Sequence, residues 1–177
     1  MTMSSAISLS EVITSIDTGE RRSKFARIIA IDGPAGSGKS WLLARLGAEA
    51  MRAGKNVMHF TLELNENYVG RRYDACFTGI DFQNIRNNID IVKKKIAEVP
   101  GKLIIKYYPT KTATVNTISA HIDKCIMQGV KPDIVLVDYA DLLRDTGVKG
   151  AIRNDIMLGN IYEDLRGLAG TYQVPLY

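Results

Sequence analysis

The octet Gly33-Pro34-Ala35-Gly36-Ser37-Gly38-Lys39-Ser40 meets G-x-x-x-x-G-K-[ST] at every defined position, and no other feature constrains the chain as tightly. The apolar run ARIIAID (26–32) precedes it, and the following stretch to Ala53 carries Leu42, Leu43, Leu46 and Ala50 at helical spacing. Strand, glycine-rich turn and helix in that order let main-chain N–H groups close around phosphates at the positive end of the helix. Lys39 is then expected to reach the β- and γ-phosphates of a nucleoside triphosphate and the Ser40 hydroxyl to ligate Mg2+, with Trp41 ending the binding segment. The expected ligand is Mg-ATP.

A phosphate loop needs a buried parallel sheet behind it. Beyond residues 26–32, the runs NVMHFT (56–61), KLIIKYY (102–108) and DIVLVD (133–138) are apolar enough for strands covered on both faces. Segments of helical period separate them. Asn65 is placed to cap a helix running to Thr78, and Thr114 one with Val115, Ile118, Ile122, Cys125 and Ile126 on its apolar face. A last helix from about Asn154 is expected to bury Met157, Ile161, Leu165, Leu168 and Tyr172 and to stop near Gly170. The expected class is α/β, a P-loop NTPase with a mostly parallel sheet flanked by helices. Residues 1–24 read as a polar lead-in, 25–177 as the domain, and Asp145 to Ala151 as a mobile loop.

Two carboxylates stand where the chemistry needs them. Asp138 ends DIVLVD, at the sheet edge where ligands of open parallel sheets sit, and is expected to hold Mg2+ through its water shell. Its alternative role is a cap or turn residue. Glu63 follows NVMHFT directly in Thr61-Leu62-Glu63-Leu64, so its carboxylate is expected at the same edge, beside Lys39 and Asp138. There it would orient or deprotonate a water at the γ-phosphate; otherwise it complements the dipole of the helix it precedes.

Composition removes several classes. With 46% hydrophobic and 24% charged residues, the chain suits an ordinary globular domain. No apolar run approaches the ~20 residues of a membrane span, and MTMSSAISLSEVITS lacks the order of a secretory signal, so the cytoplasm is expected. Cys76 and Cys125 are too far apart for a CxxC site. The basic groups at Arg21 to Arg27 and Lys93 to Lys95, within a net charge of +4, read as solvated faces.

Taken together, the segments resemble the RecA-like ATPase core of DnaB-type replicative helicases, especially phage-borne ones. AGKNVMHFTLELNENYVGRRYD is similar to the family's strand ending in S/T-L-E and the arginine-bearing helix after it. PDIVLVDYADLL is similar to its second nucleotide motif, and IYEDLRGLAGTYQVPLY to the approach to its next strand. The resemblance covers about residues 26–177. It implies that Lys39 and Ser40 are the phosphate and Mg2+ residues, Glu63 the catalytic base and Asp138 the Mg2+-orienting acid. It also implies single-stranded DNA and a homo-oligomeric ring in the complete protein, and no membrane.

The chain ends at Tyr177, before the sensor, DNA-binding loops and arginine finger that the resemblance places next, and no helicase N-terminal domain precedes the core. Read so, it is a truncated core whose final strand is only Val174-Pro175-Leu176-Tyr177, expected to leave the sheet incompletely paired and the isolated chain marginal or self-associating. Arg71 and Arg72 stand where the family has its helix arginine, with a surface salt bridge as the ordinary role. Three other readings compete: a different RecA-like ATPase such as a recombinase or packaging motor; a cytidylate-type kinase, for which IAIDGPAGSGKS speaks but no arginine-rich monophosphate site does; and a nucleotide-binding module without turnover.

Overall fold

The computed structural model describes residues 38–145 and 154–177. The ARIIAID strand, loop residues Gly33 to Ser37, the lead-in and positions 146–151 of the expected mobile loop lie outside the described residues.

Three parallel strands, β1 (Val57–Thr61), β2 (Leu103–Tyr107) and β3 (Ile134–Asp138), form a sheet in the order β2-β1-β3. Residues alternate between its faces, and the register pairs Val57 with Ile134, His59 with Leu136 and Thr61 with Asp138. One face takes α1 (Lys39–Arg52) and α2 (Glu66–Thr78) through a cluster that includes Leu43, Leu46, Ala50, Val57, Val69, Tyr73, Ile134 and Leu136. Between α2 and β2 lie a 3-10 turn, Ile85–Asn88, and the short helix α3 (Ile89–Ala97). The other face takes α4 (Val115–Met127) and α5 (Asn154–Tyr172), whose Ile118, Ile122, Ile161, Leu165 and Leu168 pack on Met58, Phe60, Val135 and Val137. Each fully buried Leu, Ile or Phe side chain stabilises by about 1.5–3 kcal/mol, which makes these two clusters the main source of stability.

Both expected caps form. The Asn65 side chain accepts from the Tyr68 amide at 2.9 Å, and Thr114 with Thr117 makes a reciprocal capping box. Three expectations need correcting. β2 is half-buried along its length, because among the described residues it pairs with β1 alone. Leu42 shares the outer face of α1 with Arg45 and Glu49 and is 42% exposed, and Ile126 on α4 is 37% exposed. The last helix ends at Tyr172, directly before Gln-Val-Pro as expected, and Gln173, at φ 56°, makes the reversal. Met157 and Tyr172 stay partly exposed; the Tyr172 hydroxyl donates to Asp123 at 2.7 Å.

The segment after α5 lies along the free side of β3. Leu176 is bridged in parallel to Val135, whose N–H donates to the Pro175 carbonyl at 3.0 Å and whose carbonyl accepts from Tyr177 N–H at 3.0 Å. The Val137 N–H donates to the Tyr177 carbonyl at 2.7 Å. Val135 and Val137 are therefore hydrogen-bonded on this side as well, through a single bridge and not a full strand. Proline offers only its carbonyl to this ladder, and only the carbonyl is used.

Helices α1 and α2 meet at Gly47, where a Cβ would lie 2.2 Å from the Tyr73 hydroxyl. The missing side chain lets Tyr73 enter the core and hydrogen-bond His59 Nδ1 at 2.9 Å. Burial, helped by the charge of Arg72, pulls the His59 pKa down to about 3, so the imidazole is neutral in the fold. The unfolded chain takes up this proton as pH falls through about 6.5. Stability is therefore complete above that value and is lost progressively as pH falls toward the folded value of about 3. In urea titrations between about pH 7 and about pH 4.5, wild type should lose stability more steeply than His59→Gln, by up to about 1.4 kcal/mol per pH unit. Equal slopes would remove His59 from the acid sensitivity.

Candidate functional site

Strand register builds the site. Thr61 and Asp138 are the last paired residues of β1 and β3, and the pleat turns both toward the α1 and α2 face. The Leu62 N–H donates to the Asp138 carbonyl at 2.8 Å, extending the ladder by one bond. Glu63 is the next residue out and is exposed. The Thr61 hydroxyl fixes the turn that carries it, donating to the Leu64 carbonyl at 2.7 Å and accepting from the Leu64 N–H at 3.2 Å.

Helix α1 brings its first residues close to the same end of the sheet. Gly38 precedes it at φ 87°, a left-handed conformation that side chains resist, and no carboxylate occupies its first turn. No acidic side chain of that turn offsets the positive end of the helix, which favours an anion there. Lys39 and Ser40 are its first two residues, and Trp41, 39% exposed, is the third.

Asp138 is the point on which these groups converge. Its side chain is buried, and the Ser40 hydroxyl lies near enough to act on its carboxyl. Burial pushes the carboxyl above the usual range; the Ser40 hydroxyl and the charges of Arg72 and Lys39 pull it back, and Glu63 pushes it further up. Oδ2 is buried without a hydrogen-bond partner among the described residues. A buried, unpartnered carboxylate oxygen beside a hydroxyl suits the water shell of Mg2+, a hard cation that keeps much of its hydration. The 3-10 turn after Asp138, Ala140–Leu142, has Tyr139 and not Asp138 at its N-cap. The Asp138–Tyr139 peptide bond is cis.

Lys39, Ser40 and Glu63, named from spacing, lie near enough to Asp138 to act on its carboxyl, while Gly33 to Ser37 fall outside the described residues. Arg71 and Arg72 depart from the surface-salt-bridge reading. Among the described residues neither forms an ion pair; the Arg72 guanidinium carbon lies 5.2 Å from the ring centres of both Trp41 and Tyr68, and Arg71 stacks on Tyr68 and Phe82. Aromatic residues four positions before Arg72 and directly after the phosphate motif were the available signal. Among the described residues there is no His, Cys, Asp or Glu cluster fit for a metal, both cysteines are free thiols, and no helix is long and apolar enough to cross a membrane.

A parallel sheet between helical layers, with a phosphate-loop helix facing the acidic end of a neighbouring strand, defines an α/β P-loop NTPase fold of the RecA-like kind. The family described as DnaB-like helicase C terminal domain matches residues 12–177, and the chain belongs to that family. A DnaB-like replicative helicase of Enterobacteria phage T4 is 27% identical over 150 residues, covering 79% of this chain and 32% of that protein. The chain therefore spans about a third of that curated relative. Two solved structures share the fold. One, described as an ATPase domain, aligns with a TM-score of 0.68 at 16% identity, over 97% of this chain and 70% of that one. The other, a DnaB-like replicative helicase studied with its primase interactions, aligns with a TM-score of 0.65 at 17% identity, over 80% and 35%.

The coupling of Ser40 to Asp138 can be measured. Ser40→Ala removes a hydroxyl that favours the charged form, so Asp138 should titrate at a higher pH than in wild type. Side-chain carboxyl 13C shifts followed against pH are the check; an unchanged or lowered titration point would break the link.

Proposed function

We propose that this chain is the ATP-binding and ATP-hydrolysing motor unit of a phage-type replicative DNA helicase, with residues 25–177 as the ATPase domain. One observation carries the reading: Lys39, Ser40 and Glu63, from two separate segments, all bear on the buried Asp138 carboxylate at the end of β3. Residues Gly33 to Gly38 would wrap the phosphates with main-chain N–H groups, and Trp41 would sit at the edge of the bound nucleotide. Lys39 would hold the β- and γ-phosphates. Ser40 would ligate Mg2+ directly and Asp138 through water; the bound ion supplies charge neutralisation across the two phosphates.

Glu63 has the freedom the remaining step needs. It is exposed and one residue beyond the ladder, on a turn fixed by Thr61, so it can accept a proton from a water aligned with the γ-phosphate. In the complete protein the reading includes single-stranded DNA as the track, a homo-oligomeric ring and a cytoplasmic setting. A cytidylate-type kinase is not favoured, since the family match takes in residues 12–177.

Lys39→Ala should abolish tight ATP binding and leave the fold intact, because Lys39 opens a helix at the crevice and is not part of either core cluster. Titration with a fluorescent ATP analogue, paired with far-UV circular dichroism, is the measurement. Unchanged affinity would end the phosphate-loop assignment. Glu63→Gln, in a complete parent protein with single-stranded DNA, should still bind ATP while turnover falls about 100-fold or more, the usual general-base contribution. Turnover within a few-fold of wild type would mean that Glu63 serves only the adjoining helix.

A further inference from the structure

The segment that follows β2 reaches across the end of the sheet. Tyr108 N–H donates to the Thr61 carbonyl at 3.0 Å, continuing the ladder between β2 and β1. Two residues on, the Thr110 hydroxyl donates to the Leu62 carbonyl at 3.2 Å, directly before Glu63. Lys111 then meets the chain beyond β3. Its N–H donates to the Leu142 carbonyl at 2.8 Å, and its Nζ donates to the Asp141 carbonyl at 2.7 Å and to the Leu143 carbonyl at 3.0 Å. Arg144 N–H completes the connection on the Ala113 carbonyl at 2.8 Å. Because β1 lies between β2 and β3, this loop links the ends of all three strands, where β1 leads to Glu63 and β3 ends in Asp138.

The backbone of Lys111 does not call for a lysine. Its φ is 59°, in the left-handed region that glycine enters freely and other residues enter against steric resistance. Strained positions of this kind persist where their surroundings hold them, and they gather at functional sites. A glycine would relieve the strain and keep the N–H bond to Leu142, so the reason for a lysine lies in its side chain. Three successive carbonyls, those of Asp141, Leu142 and Leu143, accept from this one residue, two of them from a charged donor. Charge-assisted bonds are roughly twice as strong as neutral ones, and these carbonyls close the 3-10 turn Ala140–Leu142, at the end that favours a cation. The turn also has anchors of its own. Leu143 is fully buried, and the Tyr162 hydroxyl donates to Asp141 Oδ1 at 3.0 Å. What Lys111 adds is therefore the placing of that turn relative to the end of β1.

We propose that Lys111 is a positioning residue for hydrolysis: its ammonium group grips the turn behind Asp138 while Thr110 beside it holds the strand end behind Glu63, so that the two carboxylates keep a fixed spacing. The inference rests on the reading above, in which Asp138 orients Mg2+ and Glu63 the attacking water. Lys111 acts on both through the main chain. Hold on the phosphates is assigned to Lys39, on a different segment, so loss of the grip reaches turnover and leaves binding.

Four variants test this: Lys111→Met, Lys111→Arg, Lys111→Gly and Glu63→Gln. In the ligand-free chain, hydrogen exchange followed by mass spectrometry should show the amides of residues 139–144 exchanging about tenfold faster in Lys111→Met, and those of α4 within about twofold of wild type. In a complete parent protein with single-stranded DNA, Lys111→Met should lower kcat about tenfold and change KM for ATP by no more than about twofold, because small misplacements at a reacting centre slow it steeply. Lys111→Arg keeps a cationic donor and should turn over within about threefold of wild type. Lys111→Gly relieves the left-handed strain, so it should melt no lower than Lys111→Met and yet turn over as slowly. Exchange that quickens equally throughout the chain, Lys111→Gly as active as wild type, Lys111→Arg no faster than Lys111→Met, or a loss in Lys111→Met that falls on KM overturns the proposal. Should Lys111→Met not fold by circular dichroism, Lys111→Gly decides on the same exchange and kinetic terms. Glu63→Gln separates the two levels. If it turns over within a few-fold of wild type, the reading of the site has failed and the proposal with it; if it is inactive while Lys111→Met and Lys111→Gly match wild type, only the role of Lys111 has failed.

Discussion

The pairing of Thr61 with Asp138 at the ends of β1 and β3 is the constraint that the rest of the site obeys. Because side chains alternate along a strand, a slip of one residue would turn Asp138 into the opposite face, among the apolar side chains of α4 and α5. It would also carry Glu63 off the crevice, since Glu63 is held by the one extra ladder bond from Leu62 to the Asp138 carbonyl. The register is in turn fixed by burial. Val57, Ile134 and Leu136 belong under α1 and α2, and Met58, Phe60, Val135 and Val137 under α4 and α5, so the core that stabilises the sheet also aims its carboxylate.

The second tie, from Ser40 to Asp138, joins the positive end of α1 to the acidic end of β3. Opposite charges are thus gathered in one partly desolvated place, where each affects the others strongly. In the proposed reading this gives the set of Lys39, Ser40, Glu63 and Asp138 its chemical sense: two groups hold phosphate and metal, one holds the metal's water, and one stays exposed for the attacking water. The same crevice wall carries a further cation, Arg72, which the aromatic rings keep in place without an acidic partner among the described residues.

Much of this was legible beforehand, and for identifiable reasons. The glycine-rich octet, Asp138 at the end of four apolar residues, and Glu63 two positions past a strand are local patterns, and local patterns survive into the fold. Asn65 and Thr114 capped as expected for the same reason. What escaped depends on partners distant in sequence. The half-exposure of β2 follows from its neighbours and not from KLIIKYY itself. Helix α3 buries only Val92 and shows Ile89 and Ile91 at 52% exposure, so it offers no clear apolar face to read. The placing of Arg72 needed Trp41, far earlier in the chain, and Tyr68 in one stack, which no spacing rule expresses.

The contact at Gly47 reaches further than local packing. With no side chain on α1 there, the Tyr73 ring of α2 fits against the helix backbone, and its hydroxyl is anchored in turn to His59 in the centre of the sheet. Helix, helix and strand are thereby keyed together like three parts sharing one pin. A side chain at position 47 would therefore disturb two helices and the central strand at once.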